Sequence, residues 1–180
     1  MKTRIALFRG INVGGANTLP MRELATILES LGACGIRTYI QSGNAVFRCA
    51  GAECDRLAER LSAEIGRRHG FTPQVLVLEP DALIRAIEQN PFPEAVDAPT
   101  TLHLGFLAAP PPNPDLAWLD RLKSGNERFH LADKLLYLHL PDGAGRSKLA
   151  TGAEKALGVP MTGRNWNTVL KLAELARAPG

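Results

Sequence analysis

Apolar and polar positions along the chain switch between two periods in a regular order. Thr3 to Phe8 is short and mostly apolar and reads as a strand. A Gly/Asn-rich stretch from Gly10 to Thr18 ends it. Leu24, Ile27, Leu28 and Leu31 then recur at helical spacing, opened by Pro20-Met21-Arg22-Glu23 and ended by Gly32 and Gly35. Ile36 to Gln41 is β-branched and aromatic, Ser42-Gly43 predicts a tight turn, and Asn44 to Cys49 returns as the next strand. Leu57, Leu61 and Ile65, four residues apart, predict an amphipathic helix from about Glu53 to His69. In Thr72 to Leu78, the run Val75-Leu76-Val77-Leu78 is continuous enough for a strand buried on both sides.

This βαββαβ order then repeats. A helical connector comes first, with a helix over Asp81 to Glu88, then Asn90-Pro91-Phe92-Pro93 and a loop to Thr100. Thr101 to Leu107 is a strand, and the stiff Pro110-Pro111-Pro112-Asn113-Pro114 leads to a short helix through Trp118 and Leu122. Arg128 to Leu131 and Leu135 to Leu140 form a hairpin around Ala132-Asp133-Lys134. A helix from Ser147 to Leu157 is capped by Gly158, followed by a short strand over Val159 to Thr162 and a last helix over Trp166 to Ala176. The repeat lies in element order, not in residue identity. The expected fold is α+β: two tandem ferredoxin-like halves with antiparallel sheets. Residues 1–80 form the first half, 81–100 the connector, and 101–180 the second half with its C-terminal helix.

That topology has a consequence for chemistry. In a split βαβ the first two strands run parallel, and the third lies beside the first. The loop leaving strand one, Arg9 to Gly15, must then lie near Gln41-Ser42-Gly43-Asn44. Gly10, Gly14 and Gly15 allow positive φ and close approach of a ligand, and their amides can form an anion nest. Arg9 offers charge, and Asn12, Gln41, Ser42 and Asn44 offer directed hydrogen bonds. The plainer reading is two local turns, since the pattern matches neither GxGxxG nor GxxxxGK[ST] and Ala16 stands where a P-loop has lysine. A second candidate is Arg164-Asn165, leading into the last helix. There Asn165 or Asn167 can cap, while Arg164 faces the positive end of the helix dipole. A bound anion or a carboxylate of the same chain would resolve that conflict.

Charge sharpens this picture only a little. The net charge is +3, too small to announce nucleic acid. Residues 1–50 carry six Lys/Arg against two acids, residues 51–140 nine against thirteen, and residues 141–180 six against three. The basic ends could draw an anionic ligand, or merely the acidic middle. No stretch approaches the length of a membrane span, and the apolar run after Met1-Lys2-Thr3-Arg4 is too short for a signal peptide, so a cytoplasmic protein is expected. Cys34, Cys49 and Cys54 fit no zinc or CxxC spacing and read as reduced thiols, with a Cys49–Cys54 disulfide as the alternative.

Catalytic signatures are missing. His69, His103, His130 and His139 show no metal spacing, no GxSxG elbow is present, and nothing nominates a base for Ser42. No metal or cofactor is called for, and whether the protein is an enzyme stays open. RNA-binding proteins of this topology place aromatics on strands one and three. Here those strands offer only Phe8 and Phe47, without the basic-Gly-aromatic motif.

Four ordered motifs, Arg9-Gly10-Ile11-Asn12-Val13-Gly14-Gly15, Arg37-Thr38-Tyr39-Ile40-Gln41-Ser42-Gly43-Asn44, Asn90-Pro91-Phe92 and Arg164-Asn165-Trp166-Asn167-Thr168, make the chain resemble the bacterial domain of unknown function 1697 family. The resemblance covers nearly the whole chain. It implies two tandem ferredoxin-like halves and brings no activity, cofactor or catalytic residue. That family usually carries a lysine between the glycine pair and Pro-Met, where this chain has Ala16-Asn17-Thr18-Leu19, so an anion site has one cation fewer. The resulting expectation is a small anionic or nucleotide-like ligand held by Arg9, Gly10, Asn12, Gly14, Gly15, Gln41, Ser42 and Asn44, with Arg164 and Asn165 as further candidates. Nucleic-acid binding and a ligand-free interaction module are the alternatives.

Overall fold

The computed structural model describes residues 1–54 and 56–178. It contains two four-stranded antiparallel sheets with interleaved helices. In the first, β1 (Lys2–Arg9), β2 (Cys34–Thr38), β3 (Asn44–Cys49) and β4 (Gln74–Leu78) take the order β2-β3-β1-β4. Helices α1 (Met21–Ser30), α2 (Gly51–Cys54) and α3 (Leu57–His69) connect them, and α4 (Pro80–Glu88) follows β4 where the connector helix is expected. The second sheet has the same order, β6-β7-β5-β8. It is built from β5 (Leu102–Leu107), β6 (Arg128–Ala132), β7 (Leu135–His139) and β8 (Met161–Asn165). Each sheet thus has the expected ferredoxin-like topology. Two compact units result, one of residues 1–85 with 171–180 and one of residues 86–170.

Core positions follow the periods of the chain. Leu24, Ile27 and Leu28 of α1 and Leu57, Leu61 and Ile65 of α3 join Ala6, Phe8, Ala45 and Phe47 in one cluster. Burying each large apolar side chain of this set contributes about 1.5–3 kcal/mol. In the second unit α5 (Leu116–Leu122) and α6 (Lys148–Leu157) bring Leu119, Leu149, Ala153 and Leu157 onto Leu107, Leu136 and Leu138. Ser147 caps α6 by accepting from the Ala150 amide, and Gly158, at φ 68°, ends it.

Several boundaries differ from expectation for local reasons. The second strand begins at Cys34, because Gly35 at φ 61° lets it start through an irregularity, and ends at Thr38. Val75–Leu78 are half-buried, not enclosed, since β4 is an edge of its sheet. The helix expected from Glu53 is divided into α2 and α3, and Asp55 between them lies outside the described residues. Cys49 and Cys54 are joined as a disulfide, not reduced: α2 turns the chain back so that their Cα atoms lie 6.0 Å apart. Cys34 is free. The strand expected over Val159 to Thr162 runs instead from Met161 to Asn165, which places Arg164 inside the sheet opposite Leu104. The last helix is α7 (Trp166–Arg177). Among the described residues, no helix is long and apolar enough to cross a membrane.

Candidate functional site

The two loops that connectivity places at one sheet edge are hydrogen-bonded to each other. The Phe8 amide donates to the Gly43 carbonyl at 2.9 Å, and Asn12 Nδ2 donates to the Gln41 carbonyl at 2.8 Å. Gly43 is required at this junction. Its φ is 84°, and a Cβ there would lie 2.5 Å from Ile11 Cδ1 and 2.7 Å from Phe8 Cβ.

The first loop is a small hairpin of its own. Asn12 N donates to Asn17 O and Ala16 N to Val13 O, both at 3.0 Å, around Gly14 and Gly15. Their positive φ values, 58° and 78°, are those that a two-residue turn of the mirror-image type needs. Ile11 and Leu19 pin the two ends of this hairpin into the core. Asn12 closes its base: Nδ2 donates to Leu19 O at 2.9 Å, and Oδ1 accepts from Leu19 N at 2.8 Å. Asn17 Nδ2 donates to Gly10 O at 2.8 Å.

The expected ligand-facing groups therefore divide into two sets. Asn12 and the fully buried Asn44 spend their amides within the fold, Asn44 Nδ2 on the Tyr39 carbonyl at 3.0 Å and on Ser42 Oγ at 3.2 Å. The amides of Asn12, Ala16 and Leu19 are likewise used, so the loop is less of an open nest than its glycines imply. Arg9, Gly10, Gly14, Gly15, Gln41 and Ser42 are exposed. Arg9 leans across the sheet, its Nη1 donating to Gln74 Oε1 at 3.0 Å, as the β1–β4 register allows.

Two residues that sequence reasoning passed over stand on the same loops. Val13, at the hairpin turn, is 66% exposed, and Ile40 is 48% exposed. Ile40 also has φ 49°, a left-handed conformation that β-branched side chains resist. Nothing in its sequence context announces that backbone. Val13 had a signal, an apolar residue set directly before a glycine pair.

Arg164 and Asn165 lie in the second unit. Arg164 is 9% exposed, and burial pushes its guanidinium down to about 10, which still leaves it charged at neutral pH. Its Nη1 donates to Gly163 O at 2.7 Å. Asn165 Oδ1 accepts from the Thr168 amide and caps α7, as its position predicts. Trp166 is buried and offers no stacking face, and Phe8 and Phe47, at 1% exposure, offer none either. Among the described residues no group of His, Cys, Asp and Glu could hold a metal ion.

Comparison with known proteins agrees with this architecture. The model of a family described as "Protein of unknown function (DUF1697)" matches residues 1–137. The solved structure of a conserved bacterial protein from Streptococcus pneumoniae is similar at 22% identity and a TM-score of 0.70, over 97% of this chain and 98% of that one. At that identity the likeness shows the fold. No curated protein matches. The chain belongs to the family of proteins of unknown function that its first 137 residues match.

Proposed function

We propose that in this member of a family of unknown function the joined loops form a recognition surface for a small anionic ligand of nucleotide type. One observation supports the reading above others: Ile40 is exposed at φ 49°, on the same hydrogen-bonded platform as the exposed Val13. A residue held in such a backbone costs about 1–3 kcal/mol, and such strain gathers where the surroundings over-determine a loop for binding. On this reading Val13 and Ile40 present apolar faces to a flat base, and Arg9 supplies the counter-charge. Gln41 and Ser42 supply directed hydrogen bonds, and Gly10, Gly14 and Gly15 permit close approach. Asn12 and Asn44 position the loops without touching the ligand. The reading rests on first-unit residues alone.

A thermal-shift series with nucleoside mono-, di- and triphosphates, inorganic phosphate and short single-stranded RNA tests it. A ligand at a hundred times its Kd stabilises by about 2.7 kcal/mol, a rise of roughly 5–10 °C for a chain of this size. That rise is expected with a nucleotide and is lost in Arg9→Ala. No shift with any nucleotide, or a shift that Arg9→Ala leaves intact, overturns the proposal. A shift with RNA alone, weakening steeply with salt, transfers the surface to nucleic acid.

A further inference from the structure

The second unit holds a mixed cluster of its own. Glu94 lies in the 3-10 turn Pro93–Asp97, Arg128 opens β6 and His139 closes β7. The β6–β7 register sets Arg128 opposite His139. Arg128 Nη2 donates to Glu94 Oε1 and sits 2.9 Å from His139 Nδ1. The same guanidinium lies over the Phe92 ring, 4.7 Å from its centre, and the Phe92 and His139 rings are 5.9 Å apart. Phe92 itself is buried. Its backbone is bracketed by Asn90, whose Oδ1 accepts from Phe92 N at 3.0 Å and whose Nδ2 donates to Phe92 O at 3.2 Å. The buried Tyr137 hydroxyl donates to Ala86 O at 2.9 Å.

The chemistry of this contact is one-sided. A guanidinium has donors and no acceptor, so a ring nitrogen 2.9 Å from Nη2 must accept. His139 is then neutral, with its proton on Nε2. A proton on Nδ1 would set N–H against N–H and place a second cation beside Arg128. Glu94, from the 3-10 turn, favours the charged form, Arg128, from β6, opposes it, and β5 sets the uncharged Leu102 opposite. Burial first, and Arg128 second, hold the imidazole below its ordinary value of 6.5, against the pull of Glu94.

We propose that Glu94, Arg128, His139 and Phe92 form an acid-sensitive clasp, in which protonation of His139 breaks its bond with Arg128, draws that guanidinium off Phe92 and loosens the Pro93–Asp97 turn from the hairpin. Asn90 and Tyr137 carry no charge change and keep the preceding segment in place, so the response is confined to the turn. Because the folded-state value of His139 is lowered, the clasp is fully closed above about 6.5 and opens as pH falls through the lowered value.

Nitrogen-resolved NMR of the histidine rings and of the backbone amides, between pH 8 and 5, tests the clasp. At pH 8 His139 is expected as the Nε2–H tautomer, with a titration midpoint below 6.5. Exchange protection of the Glu94–Asp97 amides, corrected for the intrinsic effect of pH, is expected to fall at that same midpoint. Arg128→Gln raises the midpoint and leaves these amides weakly protected at every pH, whereas Glu94→Gln lowers the midpoint further. An Nδ1–H tautomer at pH 8, or protection at 94–97 that ignores the His139 titration, overturns the proposal. The wild-type titration decides by itself if a variant fails to fold.

Discussion

The two units solve the same topological junction with different materials. In each, the end of the first strand donates a backbone amide to the start of the third: Phe8 N to Gly43 O, and Leu107 N to Lys134 O, both at 2.9 Å. In the second unit a short turn at Asp133 and the proline-rich run before α5 flank the junction, and Ala108 extends the sheet by donating to Pro160 O. In the first unit the junction carries a pinned hairpin, a bridging Asn12, a buried Asn44 and an Ile40 in left-handed backbone. What the first unit adds at its junction is this polar structure and a β-branched residue in left-handed backbone, where the second unit has Asp133 at φ 48°.

The sharpest way to break this comparison is at the two matching carbonyl positions. Gly43→Ala combines a positive φ with contacts of 2.5 and 2.7 Å to Ile11 and Phe8, so a loss of about 3 kcal/mol is expected. Lys134→Ala removes an exposed side chain at the equivalent place and is expected to stay within about 0.5 kcal/mol. Denaturant midpoints at constant slope measure both. Similar losses at the two positions would mean that the junctions are equally constrained.

Asn12→Ala comes next. It removes three hydrogen bonds to Leu19 and Gln41 from a half-buried site, and about 2 kcal/mol is expected. Hydrogen exchange should rise at Leu19 while β1 keeps its protection, because β1 is held by its own ladders with β3 and β4. Loss of protection throughout β1 would instead make the first loop part of the scaffold.

The second unit has its own sensitivity, to pH. Burial lowers the His103 imidazole, against the hydrogen bond from its ring to Thr100 O. A base with a lowered folded-state value makes the chain less stable as pH falls below the ordinary 6.5. His103→Gln should therefore reduce the drop in melting temperature between pH 7 and 5. An unchanged drop would remove His103 from the acid response.

Some of this was legible beforehand and some was not, for definable reasons. Strand order and loop convergence follow from connectivity, because periods of two and 3.6 mark the elements and a split βαβ has few layouts. Ser147, Gly158 and Asn165 announce themselves as caps because capping is local chemistry. The roles of Asn12 and Asn44 were hidden, since an amide serves a ligand or a carbonyl equally well and only the three-dimensional neighbour decides. Arg164 looked like a loop cation until the strand register enclosed it. The Cys49–Cys54 disulfide was hidden, since residue spacing does not show the return of the chain through α2.

Ile40 offers the finest test of what the first unit adds. Asparagine tolerates left-handed backbone far better than a β-branched residue, so Ile40→Asn should relieve strain. The side chain is 48% exposed, and little burial is lost in exchange. A gain of about 1 kcal/mol is therefore expected by denaturant titration. If Ile40 is kept only as a turn residue, that gain comes without any functional cost. If it presents an apolar face to a base, the same variant melts higher when empty yet shows a smaller nucleotide-induced rise. Stability and recognition then move in opposite directions at one residue, an outcome that a purely structural role for the loop does not produce.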